Sequence, residues 1–178
     1  EAVSALVAIA RSNDVMEVRK AALRGMANLH PEKAIPFYLD WTANPNAGAL
    51  RMEAVSAIGV MNGEEAGKAL RQLLRDSPYR DVRRAVLMQY VARQSGSPVG
   101  LIENLLKTEK DADMRVAAVA ALGIRGNDAG ISVLVSVLEG KDSEKVKSTA
   151  RLALTQIGTA KAKAALSSSA FIPSFIPD

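Results

Sequence analysis

The chain has 178 residues, 48% of them hydrophobic and 24% charged, with no cysteine and a net charge of +4. That balance excludes a disordered tail, a disulfide scaffold, thiolate metal sites and cysteine nucleophiles, and the small basic excess falls short of a committed polyanion binder. Aromatics make up only 4% while Ala, Val and Leu dominate, which suits closely packed helices over an aromatic-rich sandwich, so the expected class is all-α.

In chain order, residues 1–30 open on helical periodicity at Ala2, Val3 and Leu6, turn through RSNDVME and resume as VRKAALRGMANL. Residues 31–62 turn at ANPNAGA and resume as LRMEAVSAIGVM, and residues 63–94 turn at DSPYRD and resume as VRRAVLMQYVAR. Residues 95–126 turn at TEKDAD before MRVAAVAALGIR, and residues 127–158 turn at GKDSEK before VKSTARLALTQI. From residue 159 the stretch TAKAKAALSSSAF begins a sixth first helix and stops, and FIPSFIPD follows as an apolar tail, read as a terminal lid or a segment ordered by contact elsewhere.

The register behind this order is a period of 32 residues. Val18-Arg19, Leu50-Arg51, Val82-Arg83, Met114-Arg115 and Val146-Lys147 are each an aliphatic residue followed by a base. Ala22, Ala54, Ala118 and Ala150 stand third after the base, with Val86 the exception, and a small residue there lets helices approach. Upstream, Leu6, Tyr38, Leu70, Ile102, Leu134 and Leu166 form one column and Ile9, Trp41, Leu73, Leu105 and Val137 another three residues on, which is the spacing of one helical face. Each unit is therefore two helices, with Asp, Asn, Pro and Gly in the intervening turns to stop one and cap the next. A lone hairpin cannot bury its apolar face, whereas stacked hairpins share a continuous core.

The stretches MRVAAVAALGI, LRMEAVSAIG and VKSTARLALTQIG resemble the HEAT repeat, in particular the short HEAT-like variety of the phycobilisome lyases, with its pattern D-x-x-V-R-x-x-A-x-x-A-L-G-x-I. The resemblance implies a right-handed α-solenoid of about five hairpins over residues 1–158, and it is nearly silent on activity. It also implies that the base column pairs with acids of the preceding turns, for which Asp14, Glu17, Asp81, Asp111, Asp113 and Asp142 are available. Arg51 has only Asn46 nearby.

Positions one, five and nine after the base line up on one strip of each second helix, and the resemblance places that strip on a concave face. It reads Lys20, Arg24, Asn28; Met52, Ser56, Val60; Arg84, Met88, Ala92; Val116, Ala120, Ile124; Ser148, Leu152, Gln156. Water alone would favour polar residues there. The candidate partner-binding set is therefore Lys20, Arg24, Met52, Val60, Arg84, Met88, Val116, Ile124 and Leu152, with the bases meeting acidic groups and the aliphatics supplying apolar contact. The competing reading makes the apolar members additional core, covered by neighbouring second helices. Val86, Gln89, Tyr90 and Arg93 depart from the repeat and read as local repacking or a binding spot.

No catalytic constellation emerges. His30 is the only histidine and precedes Pro31 at a turn, so neither a triad nor a zinc set can be built from histidines, and no metal or cofactor is expected. The run from Gly63 to Ala69 mimics a phosphate loop with wrong spacing and reads as a helix start, with Glu64 and Glu65 on its first turn. Trp41 falls in a core column, which leaves Phe37 as the more exposed aromatic nearby. No run approaches the roughly 20 apolar residues of a membrane span. Helical periodicity starting at once after Glu1 suggests a processed product or an excerpt of a longer protein, expected to be soluble, with the compartment open and the cytoplasm favoured. The expected function is a non-enzymatic scaffold for another protein or for another region of a longer parent chain. The alternatives are nucleic-acid binding through the basic groove residues, disfavoured by the apolar floor, and a lyase-like or chromophore-handling role suggested by the repeat subtype alone.

Overall fold

A computed structural model describes residues 1–12, 15–29, 31–92 and 98–168. Among them are eleven α-helices, one short 3-10 turn and no strand. Two compact units divide the chain, Glu1–Arg93 and Gln94–Asp178. The first holds α1 (Ala2–Ser12), α2 (Met16–Leu29), α3 (Pro31–Ala43), α4 (Ala49–Val60), α5 (Glu64–Asp76) and α6 (Arg80–Ala92). The second holds α7 (Val99–Thr108), α8 (Ala112–Ile124), the 3-10 turn Asp128–Gly130, α9 (Ile131–Glu139), α10 (Glu144–Ile157) and α11 (Ala160–Ser168). His30, Asp14, Arg93 and the FIPSFIPD tail lie outside the described residues.

Odd-numbered helices are the first of each hairpin and even-numbered helices the second. In the N-terminal unit α1, α3 and α5 neighbour one another in series, as do α2, α4 and α6. In the C-terminal unit α8 packs on α10, α9 on α11, and each hairpin closes on itself through α7 with α8 and α9 with α10. Side-by-side stacking of hairpins within each unit is the packing of an α-solenoid.

Local chemistry explains the helix ends. Asp111 caps α8, its carboxylate accepting from the Asp113 and Met114 amides at 2.9 and 3.0 Å. Gly158 ends α10 in the left-handed conformation at φ 66°, where its amide returns to the Leu154 carbonyl at 3.1 Å. Pro31 starts α3, where a missing amide hydrogen costs nothing. Core residues come from the repeating columns: Leu23, Tyr38, Ile58, Leu70 and Leu87 in one unit, and Ile102, Met114, Leu122, Leu134 and Leu154 in the other, are fully buried. Each such side chain contributes about 1.5–3 kcal/mol on burial. Tyr38 keeps its hydroxyl in this core by donating to the Leu23 carbonyl, and burial holds it protonated beyond the ordinary tyrosine range.

The base column does something other than expected. Arg19, Arg83 and Arg115 each reach back nine residues, to the Ala10, Leu74 and Leu106 carbonyls at 2.7, 2.9 and 2.5 Å, which are backbone partners and not side-chain acids. All three acceptors lie in the last turn of the hairpin's own first helix, where carbonyls lack amide partners and the helix dipole is negative. Arg51 follows suit with the Asn44 and Pro45 carbonyls at 2.9 and 3.2 Å. Of the expected acids, Glu17 bonds Lys20, Asp111 caps α8, Asp113 bonds Lys145 and Asp142 pairs at 2.6 Å with Arg115, a base from the hairpin before it.

Bases also reach forward. The Arg51 guanidinium stacks 3.7 Å from the Tyr79 ring centroid and Arg19 lies 5.6 Å from that of Trp41, so each covers an aromatic of the next hairpin. One side chain thus closes its own hairpin and seals the next.

Candidate functional site

The strip on the second helices is fixed by the columns beneath it. Once positions three, four and seven after the base face the core, positions one, five and nine point away. In α8 this leaves Met114, Ala117, Ala118, Val119, Ala121, Leu122 and Gly123 buried. Ile124 stands 63% exposed and Val116 is half-buried. On α10, the helix packed against α8, Leu152 is 57% exposed. The two helices approach closely because position eight is glycine: a Cβ on Gly123 would lie 2.8 Å from the Ala153 Cα and 2.9 Å from its Cβ. The strip of the C-terminal unit is therefore aliphatic and shared by adjacent helices, with Ser148 and Gln156 exposed on α10.

In the N-terminal unit the same positions are mixed. Val60 on α4 is 70% exposed, while Met52 on α4 and Met88 on α6 are half-buried. Lys20 is half-buried and holds Glu17 at 2.8 Å. Arg24 is exposed and grips Glu53 of the next hairpin with two bonds, 2.7 and 3.1 Å. The bond to Glu53 keeps the Arg24 guanidinium firmly charged, and the bond from Lys20 lowers the Glu17 carboxyl below its ordinary range. Arg84 is exposed and makes no ion pair with a described residue. Two of the three basic candidates are thus matched within the chain, which sequence spacing does not reveal for Arg24 because its acid lies 29 residues on.

The remaining candidates resolve as local structure. Gly63, at φ 105°, precedes α5, and Lys68 binds Glu64 and Glu65 at 3.3 and 2.8 Å, so the loop-like run is a helix start. Trp41 is buried and Phe37 half-buried. Of the irregular third hairpin, Val86 is fully buried, Gln89 lies against Gly59 and the Tyr90 hydroxyl accepts from Arg71 at 3.0 Å. Among the described residues no group of His, Cys, Asp and Glu stands ready for a metal ion, and no helix is long and apolar enough to cross a membrane.

Sequence reading missed a second apolar surface. Ile9, Val18 and Leu29 on the first hairpin are exposed, although Ile9 was assigned to a core column and Val18 to the anchor column. The comparison of columns from hairpin to hairpin holds the signal that finds them.

The family model for HEAT repeats matches residues 3–90 and 99–170. A search of curated proteins matches none.

Proposed function

The chain belongs to the HEAT repeat family, and on that premise we propose that it is a non-enzymatic scaffold that binds another protein, or another region of its own parent polypeptide, through the outward strip of its second helices. Members of this repeat family are typically helical scaffolds for protein interaction. One observation carries the site assignment: Val60, Ile124 and Leu152, all large aliphatics on strip positions, are more than half exposed on helices whose other apolar residues are largely buried. Exposed aliphatic surface in fixed register on rigid helices favours docking of an apolar partner segment, since the side chains are held in place before contact and little conformational entropy is lost. In the C-terminal unit Val116 would add to the aliphatic contact; in the N-terminal unit Met52 and Met88 would add adaptable apolar contact and Arg84 would meet an acidic group. Lys20 and Arg24 belong to the same strip but are already bound to acids, which weakens both a polyanion reading and their own part in recognition.

The test is the double substitution Val116→Asp with Ile124→Asp. Partners captured by the wild-type chain and identified by mass spectrometry are expected to be lost, with helical content and melting midpoint unchanged. Retained capture would remove the strip from the site, and a collapsed fold would return these residues to the core. Titration with duplex DNA at low salt is expected to show no binding; tight, salt-sensitive binding would favour the rival instead.

A further inference from the structure

The linker between the second and third hairpins, from the end of α4 to the start of α5, reads Met61-Asn62-Gly63-Glu64. In an Asn-Gly pair the side-chain amide and the next backbone nitrogen meet with least obstruction, because glycine has no Cβ to shield that nitrogen. Both residues are exposed. Gly63 is the N-cap of α5 at φ 105°, so its own nitrogen lies ahead of the helical bonding pattern. Neither that amide nor the Asn62 side chain bonds a described residue.

The other asparagines among the described residues each lack one of these conditions. Asn28 and Asn104 lie inside α2 and α7, where the following amide is committed to the helix. Asn44 precedes Pro45, which has no N–H, and its side chain accepts from the Asn46 amide at 2.8 Å. Asn46 precedes buried Ala47, whose amide already donates to the Asn44 carbonyl at 3.2 Å. The Asn127 side chain is held by the Ala129 amide at 3.2 Å.

We propose that Asn62 is a site of spontaneous covalent modification, in which the Gly63 nitrogen displaces the side-chain amide. The nitrogen gives up its proton and attacks Cγ; the new C–N bond forms, the Cγ–Nδ2 bond breaks, and the leaving group takes a proton and departs as ammonia. The cyclic succinimide that remains is opened by water at either carbonyl, giving aspartate at position 62 or isoaspartate, whose main chain runs through Cβ and Cγ. Nothing is oxidised or reduced, and water is the only co-reactant. The N-terminus of α5 favours the negative charge that develops on the Gly63 nitrogen and, afterwards, the product carboxylate. A shallow opening of about 240 Å³, lined by Pro31, Glu32, Ile35 and residues 62–66, admits the water.

The fold accommodates either product. Met61 and Ala66 are buried, whereas the four residues between them are exposed, so the extra main-chain carbon of isoaspartate is absorbed without moving a core column. Charge is what changes: a carboxylate joins Glu32, Glu64 and Glu65 around the opening, and the net charge falls by one from +4.

The experiment incubates the folded chain in mildly alkaline buffer made with heavy-oxygen water and maps its peptides by mass spectrometry. Asn62 is expected to convert about tenfold faster than Asn46 or Asn127, to take up heavy oxygen and to yield both aspartate and isoaspartate. Asn62→Gln should suppress the change at that position, and Asn62→Asp should leave the melting midpoint within about 1 °C of the parent. Conversion at Asn62 no faster than at Asn46 would overturn the proposal. So would aspartate as the sole product, which marks direct hydrolysis, or conversion seen only after denaturation in guanidinium, which would mean that the fold holds the two groups apart. A fall of about 5 °C with Asn62→Asp would show that the folded chain does not accommodate the product, against the proposal.

Discussion

The second helices of the two units carry the same kind of core columns, but the outer strip is mixed in the first and largely aliphatic in the second. In α2 the strip begins Lys20 and Arg24, each tied to a carboxylate of this chain at 2.8 and 2.7 Å. In α8 it reads Val116, Ala120 and Ile124, and its last member stands in solvent. Folding constrains the positions that face neighbouring hairpins, because each is touched from several helices at once. The strip is touched least, so its composition varies without disturbing the stack. Lys20 and Arg24 are matched by acids of this chain, Arg84 pairs with no described acid, and the aliphatics Val60, Ile124 and Leu152 stand exposed. The strip of the C-terminal unit is therefore the more apolar of the two.

The largest effect comes from the core column in which the third hairpin departs. Position seven after the base is Met26, Ile58, Leu122 and Leu154 in the other four hairpins, all buried, but Tyr90 in the third, half-buried with its hydroxyl held by Arg71. Leu122→Ala should cost about 3 kcal/mol in urea unfolding, the range for a buried leucine leaving a cavity. Tyr90→Ala should cost less, about 1–2 kcal/mol, because Tyr90 is only partly buried. Equal costs would mean that the third hairpin is as fully packed as the fourth.

Next in size is the base column. Arg115 donates to the Leu106 and Glu109 carbonyls and pairs with Asp142, whose side chain is only 10% exposed. Arg115→Met should cost about 2–3 kcal/mol, most of it from the stranded carboxylate. Arg19→Met, which removes a bond to one first-helix carbonyl, is expected to be milder by about 1 kcal/mol. A smaller loss at Arg115 than at Arg19 would contradict its role in joining the fourth and fifth hairpins.

Position eight separates the units by packing alone. A Cβ on Gly123 meets the Ala153 backbone, which cannot move without shifting α10, whereas one on Gly59 meets only the Gln89 side chain. Gly123→Ala should therefore destabilise by about 2 kcal/mol. Gly59→Ala should fall within about 0.5 kcal/mol of neutral, since alanine's helix preference offsets the displaced glutamine. Urea midpoints of the two variants check both, and a costly Gly59→Ala would show that α4 and α6 are as tightly apposed as α8 and α10.

These contrasts also show what was legible beforehand. Helices and hairpin period follow from apolar spacing, because burial acts on side-chain identity at every turn, and Val119 and Leu122 are buried as their columns required. The partners of the bases were not legible: a backbone carbonyl such as that of Leu106 leaves no mark in a side-chain pattern, while nearby acids in the turns invite a pairing that solvent makes weak. The strip's register was readable, yet the Arg24–Glu53 pair was not, since it exists only after two hairpins have stacked. Exposure of Ile9 and Val18 eluded residue-by-residue reading for the same reason, as burial there depends on the neighbouring hairpin.

The smallest expected effect tests whether matched and unmatched charges on the strip differ in function. Arg84→Gln removes a cation that makes no ion pair with a described residue, so a partner carrying an acidic group should bind about 3-fold more weakly, the scale of an exposed pair. Arg24→Gln removes a cation that Glu53 already occupies, and a partner would have to displace that acid to gain anything from it. Affinity for the captured partner should therefore be unchanged by Arg24→Gln, and its salt dependence should flatten only with Arg84→Gln. Equal losses from both would mean that the Arg24–Glu53 pair opens on binding, and Arg24 would then take part in recognition.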